Sequence, residues 1–262
     1  RKVIGNHVDK FEAMEDASIV AHVSGYIQSR SFKEGQMVTK GDVLFQIDQN
    51  PHIRLVVLTG SGKHFCTGAD LNWMQKFCQS DRETNLKQAK RLEQLFRHLY
   101  EMRPPLIASI QGCVFGGGLG LIACCDIVVA HPETRFCFSE LRLGLIPAVI
   151  SPYVTLKMGY SKARFHMLSA REFSPQDAQR DGLIHLIADK PEIELDSLIH
   201  DMLKTAPQAS AQCRKLLRTL PGMNLEQASK LTSSLIARAR CAAEGQEGVL
   251  ALFNKTNPPW SP

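Results

Sequence analysis

The stretch Gln111–Ala130, QGCVFGGGLGLIACCDIVVA, sets Gly116, Gly117, Gly118 and Gly120 between two apolar runs. A tight turn needs one glycine, because a single residue at positive φ reverses the chain at no steric cost. Several in succession at the mouth of a helix serve another end. They let backbone approach a group closely, with unpaired N–H groups directed at it. The preceding LIASIQGCVF reads as one buried strand, LGLIACCD as a helix opening beneath the glycines, and DIVVA as a further strand.

Outward from this centre the same alternation continues. IRLVVLTG, ending at Gly60, is a continuous apolar run of the kind that forms a buried strand. In DRETNLKQAKRLEQLFRHLYEM, residues Leu86, Ala89, Leu92, Leu95, Phe96 and Leu99 recur every three to four positions and predict a helix. Arg103-Pro104-Pro105 stops it. Strand–helix–strand alternation predicts an α/β fold with crossover connections. From Pro191 to Pro262 the pattern is helical, broken at Pro207 and Pro221-Gly222, and a separate helical region is expected there. Residues 1–49 have a different character, since IVAHVSG, YIQSRSF and VLFQID are strand-like and punctuated by glycine turns.

Composition narrows the class. A chain of 262 residues, 44% hydrophobic, can bury a sizeable core. A net charge of +5 without a dense Lys/Arg block argues against a nucleic-acid arm. The eight cysteines are scattered with no paired CxxC, so no structural metal is expected and reduced thiols in a cytoplasmic protein are the simpler reading. No apolar run reaches the roughly 20 residues of a membrane span, and the opening RKVIGNHVDKF has no signal-peptide apolar region.

Three segments carry chemistry: HFCTGADLNWM (64–74), FGGGLGL (115–121) and FCFSELRLGLIPAVISPYV (136–154). The first two each follow a buried strand and precede a helix, so their N–H groups can converge on one oxygen and stabilise negative charge. The third supplies Glu140, a carboxylate among apolar residues, where burial would raise its pKa and suit it to proton transfer. Taken alone, Glu140 also reads as a structural partner of Arg135 or Arg142. Trp73 and Met74 fit a core as well as a pocket wall, and His64 reads as a surface or core histidine. TGSGKH fails the phosphate-loop pattern, with Val57 and His64 at the positions that need Gly and Ser/Thr. The glycine run fails G-x-G-x-x-G at Leu121.

In order and spacing, GADL, the glycine triplet and the acidic residue before RLGLIP resemble the crotonase (enoyl-CoA hydratase/isomerase) superfamily, from about Asn50 to the C-terminus. The resemblance implies a spiral of β-β-α units with a C-terminal helical region. It implies an acyl-CoA thioester as substrate and no separate cofactor, coenzyme A being part of the substrate. By residue match, the N–H groups of Ala69 and Gly117 form the oxyanion hole and Glu140 is catalytic. Gly68, Asp70, Leu71, Trp73, Gly116, Gly120 and Arg142 are expected to contact substrate. Hydratases of the family commonly carry a second glutamate at the position of Gly120, which a single-carboxylate isomerase does without. SELRLGLIPAVISPYV looks most like methylglutaconyl-CoA hydratases and the related isohexenylglutaconyl-CoA hydratases. Hydration of a branched, carboxylated enoyl-CoA is therefore expected, with isomerisation as the nearest rival and decarboxylation third. Arg142 is the nearest cation for the substrate's second carboxylate. Assembly as a homotrimer or hexamer is implied, and the apolar spacing of ASKLTSSLIARA fits a buried helix face.

Residues 19–48 instead resemble half of a biotinyl/lipoyl-like domain, closest to efflux periplasmic adaptors. EAMED holds no lysine where a swinging arm needs one. Three regions are thus expected: an atypical β-rich segment (1–49) lacking the family's first two strands, the catalytic core (50–190) and the helical region (191–262). A non-catalytic composite of these parts is the alternative of a different class.

Overall fold

The computed structural model describes residues 5–9, 18–23, 50, 53–60, 62–69, 74–75 and 78–261. The described residues up to Leu195, apart from Arg103–Pro105, form one unit; Arg103–Pro105 and the residues from Asp196 onward form a second.

The first unit is organised by a six-stranded sheet. Its strands are β1 (Gly5–Asp9), β2 (Ser18–Val23), β3 (Val56–Thr59), β4 (Leu106–Ile110), β6 (Ile127–Ala130) and β8 (Leu186–Ile187), hydrogen-bonded in that order. Val56, Val57 and Leu58 are completely buried, as are Leu106, Ile107 and Ala108. That is why both strands read as unbroken apolar runs. The ladders β3–β4, β4–β6 and β6–β8 are parallel, whereas β1–β2 and β2–β3 are antiparallel. Helix α1 (Arg82–Glu101), capped by the Asp81 carboxylate accepting from the Thr84 N–H at 2.8 Å, makes the crossover from β3 to β4 and buries Phe96 and Leu99.

One expectation from the sequence does not hold. The segment 106–115 is not one strand. It breaks at Gly112, whose φ of +61° only glycine holds cheaply. A side chain at Gly112 would also overlap the Lys63 carbonyl oxygen. Past this break, β5 (Cys113–Phe115) leaves the main sheet and pairs in parallel with β7 (Arg135–Cys137) in a second, small sheet. The N-terminal segment, expected to be β-rich, supplies β1 and β2. Ile19 pairs with Leu58 and Val20 with Val57, so backbone bonds tie this segment to the core sheet. An apolar β3 with an unpaired edge recruits strands whatever their side chains. YIQSRSF and VLFQID lie outside the described residues.

Helix α2 (Gly117–Cys124) is buried from Gly118 to Cys124 and apolar all round, as a helix enclosed in a core must be. After β7, a 3₁₀ turn (Glu140–Leu143) leads to α3 (Ser151–Met158), α4 (Tyr160–Ser169) and α5 (Pro175–Arg180), then β8. Helix α6 (Pro191–Leu203) follows β8.

The second unit contains α7 (Pro207–Thr219), α8 (Leu225–Cys241) and α9 (Ala243–Asn254). The Glu244 carboxylate accepts from the N–H groups of Gln208 and Ala209 at 3.0 and 2.8 Å, satisfying donors that the start of α7 leaves open. Pro207 begins this helix and does not merely break one. No residue of α8 is buried within the single chain. Among the described residues no helix is long and apolar enough to cross a membrane.

Candidate active site

The small sheet positions the site. Cys66 forms a parallel bridge to Val114, with the Cys66 N–H donating to the Cys113 carbonyl at 3.0 Å and the Phe115 N–H to the Cys66 carbonyl at 2.8 Å. On its other side β5 pairs Val114 with Phe136 and Phe115 with Cys137. Three parallel segments therefore end together. Counting three residues on from the bridged pair Cys66–Val114 reaches Ala69 on one segment and Gly117 on the next, and three on from Cys137 reaches Glu140. The carboxyl ends of adjacent parallel strands are where α/β sheets present chain termini and open N–H groups to a ligand.

Two side chains hold the first segment in this register, and neither was legible as a fastener. The His64 ring Nδ1 accepts from the Cys113 N–H at 3.1 Å. Gln111 Nε2 donates to the carbonyls of Gly60 and Gly62 at 2.9 and 2.8 Å. His64 is accordingly structural, as its sequence context suggests.

Gly116 adopts φ +52° and ψ −120°, the backbone of the first central residue of a type II′ turn, which requires glycine. This sets the Gly116–Gly117 peptide in the orientation opposite to the one an L-residue would give, immediately before α2 begins. Gly68 also has positive φ, at +111°. Gly118 lets α2 approach the first segment, since a Cβ there would lie 2.8 Å from Cys66 Cβ. The described backbone bonds employ the N–H groups of Cys66, Phe115, Gly116 and Leu119 but not those of Ala69 or Gly117.

The three segments meet at one point. A Cβ placed on Gly116 would stand 3.5 Å from Glu140 Oε1 and 3.8 Å from the Gly68 Cα. Glu140 Oε2 is buried and has no hydrogen-bond partner among the described residues. Burial pushes the Glu140 pKa above the ordinary carboxylate value, and a bond from its own backbone only partly offsets this. No cation contributes to that shift. A carboxyl so placed takes up or gives a proton readily, and the sequence reading of a structural ion-pair partner gains nothing: Arg135 pairs with Glu172 at 3.2 Å.

Other expected contacts fall elsewhere. The Arg142 guanidinium donates to the Ala170 carbonyl at 2.5 Å, at the C-terminal cap of α4. In a 3₁₀ turn of three residues per turn, positions two apart point in different directions, so Arg142 does not follow Glu140. Gly120 is buried under Ile150 and Phe96 and reads as a close-packing position. Asp70, Leu71 and Trp73 lie outside the described residues. Lys157, half-buried on α3, donates to the carbonyls of Ile122 (3.1 Å) and Cys125 at the far end of α2, a clamp with no local sequence signal. Burial lowers its pKa. Among the described residues no group of three His, Cys, Asp or Glu side chains could hold a metal ion.

Comparison with known proteins places the chain among relatives. Residues 30–262 match the family model for enoyl-CoA hydratase/isomerase. The chain is 43% identical to a crystallographically solved enoyl-CoA hydratase from Shewanella pealeana, covering 84% of this chain and 83% of that one with a TM-score of 0.81. It is 35% identical over 79% of its length to the enoyl-CoA hydratase ACTT6 of Alternaria alternata, spanning 68% of that protein. It is also 34% identical to the peroxisomal Δ(3,5)-Δ(2,4)-dienoyl-CoA isomerase of Arabidopsis thaliana, over 54% of each chain.

Proposed function

The chain belongs to the enoyl-CoA hydratase/isomerase family, and on that premise we propose that it hydrates a branched, carboxylated enoyl-CoA of the methylglutaconyl type with Glu140 as its one proton-transferring carboxylate. The observation that carries the catalytic reading is the meeting of Gly68, Gly116 and the desolvated Glu140 carboxyl at one point. In this reading the thioester oxygen is held by the N–H groups of Ala69 and Gly117. A water oxygen bonds to the β-carbon while the Glu140 carboxylate takes the water's proton. The electron pair of the double bond moves toward the thioester, leaving an enolate whose oxygen the two N–H groups stabilise. Glu140 then returns the proton to the α-carbon, so the net change is addition of water. The raised pKa suits a group that must be charged for the first step and neutral for the second.

The substrate class is supported by the sequence of Ser139–Val154; Arg142, engaged by Ala170, adds nothing to it. A homotrimer or hexamer in the cytoplasm belongs to the same proposal, supported by the exposed apolar side chains of the helical region, Leu225 and Phe253 among them. One observation favours a second reading, double-bond isomerisation: with glycine at 120 there is no second carboxylate on α2 to assist water. The test compares kcat/KM for 3-methylglutaconyl-CoA, crotonyl-CoA and a 3-enoyl-CoA. Hydration of the first at least about tenfold better than the second, about 1.4 kcal/mol in barrier, is the expected result. Bond migration in the 3-enoyl substrate without hydration of either of the others would transfer the assignment to an isomerase.

A further inference from the structure

Gly120 lies in α2, four residues beyond Gly116, the cap that opens the helix. A Cβ on Gly116 would face the Glu140 carboxyl at 3.5 Å. Opposite Gly120 the space is taken: a Cβ there would overlap Ile150 Cγ2 and lie 2.9 Å from both Ile150 Cβ and Phe96 Cε1. Ile150 is 3% exposed. Its backbone is anchored, the Val154 N–H donating to the Ile150 carbonyl at 3.1 Å and the Ser151 N–H to that of Pro147 at 3.0 Å. A β-branched side chain is stiff at χ1, and Phe96 behind it is completely buried, so neither yields cheaply.

We infer that Ile150 is the inner stop of the acyl site: its side chain closes, at Gly120 and four residues along from the Gly116 that faces Glu140, the space into which a longer acyl chain would extend. The inference rests on the reading of Gly117 and Glu140 given above. One turn separates side-chain positions by roughly 5–6 Å, the length of a few methylenes. Acyl groups that end near the reacting carbons are accommodated, and those that run on along α2 meet Ile150. Among the glutaconyl-type substrates this selects a compact methyl-branched group over one carrying a terpenoid extension.

The experiment measures binding of butanoyl-, hexanoyl- and octanoyl-CoA to the full chain by calorimetry, for the unaltered protein, Ile150→Val and Ile150→Ala. The unaltered protein should prefer butanoyl-CoA to octanoyl-CoA. Ile150→Ala should shift that ratio toward octanoyl by on the order of tenfold, since each buried methylene contributes about 0.8 kcal/mol. Ile150→Val, which keeps the branch at Cβ, should shift it in the same direction by less and serves if the alanine variant does not fold. The same chain-length ranking in all folded variants would overturn the inference while leaving the acyl-CoA reading intact. No binding of any of the three by the unaltered protein would overturn both. A shifted ranking in a protein that turns over no enoyl-CoA would support the inference and refute the hydratase reading.

Discussion

Replacing Glu140 by glutamine should move activity and stability in opposite directions. The carboxyl has a buried oxygen without a partner among the described residues and a pKa raised by burial, with no cation to compensate. A buried polar group left unpaired costs about 1–3 kcal/mol, more when charged. Glutamine keeps the shape and that polar cost but removes the charge, so unfolding should become harder by about 1.4 kcal/mol for each pKa unit by which burial raises the carboxyl. For a chain of this size each kcal/mol corresponds to roughly 2–4 °C in Tm. The gain is pH-dependent with a definite sign. Below the ordinary carboxyl value of 4.5 the group is neutral in folded and unfolded chains alike, and the variant gains nothing. As pH rises, the unfolded chain ionises first, and the wild-type protein loses stability until the folded pKa is passed. The difference should therefore be absent near pH 4 and grow as pH rises, levelling off once the folded pKa is passed. Turnover should meanwhile fall by about 10²–10⁴-fold, the usual contribution of a general acid–base group. Urea unfolding in acid and at neutral pH, with enoyl-CoA turnover at the higher, reads both. A glutamine variant that is less stable at neutral pH, or retains more than a tenth of the activity, would refute the reasoning, because a structural carboxylate behaves in the first way and a bystander in the second.

Two further substitutions probe how the site is held. Gly116→Ala has room, its Cβ standing 3.5 Å from Glu140 Oε1, but the backbone at φ +52° does not suit an L-residue. It should cost about 1–3 kcal/mol in denaturant unfolding and lower kcat by misaligning the Gly117 N–H. Asp181→Asn leaves an amide oxygen that still accepts at His166 Nε2 but removes the charge from that buried 2.7 Å bond, and should cost about 1 kcal/mol at pH 7. Burial raises the Asp181 pKa, but hydrogen bonds from His166 and Arg180 outweigh it and hold the group below 3.8. Its contribution is thus present above pH 3.8 and lost as pH falls through the folded value, so thermal unfolding of the two proteins should converge in acid.

The sequence by itself determined the elements whose cause is local. Continuous apolar runs marked β3, β4 and β6, spacing of Leu92, Phe96 and Leu99 marked α1, and the glycine run marked the start of α2. GADL, FGGGLGL and Glu140 were visible as three chemical segments because each depends on its own residues. Their meeting, expected from the family resemblance, does not follow from the three segments themselves, since it depends on a register between segments about 50 and 22 residues apart: Cys66 with Val114, and Phe115 with Cys137. The break at Gly112 was hidden for a related reason. An apolar run looks the same whether one sheet uses it or two, and only the Lys63 carbonyl pressing on Gly112 shows that the chain must turn there. Tertiary structure also decided the fate of single side chains. Arg142 lies two residues from Glu140 in the chain, yet its guanidinium reaches Ala170, because a 3₁₀ turn sends neighbouring side chains apart. Gly120 and Ile150 are thirty positions apart, and nothing in either suggests the other; packing alone made one the floor and the other the stop.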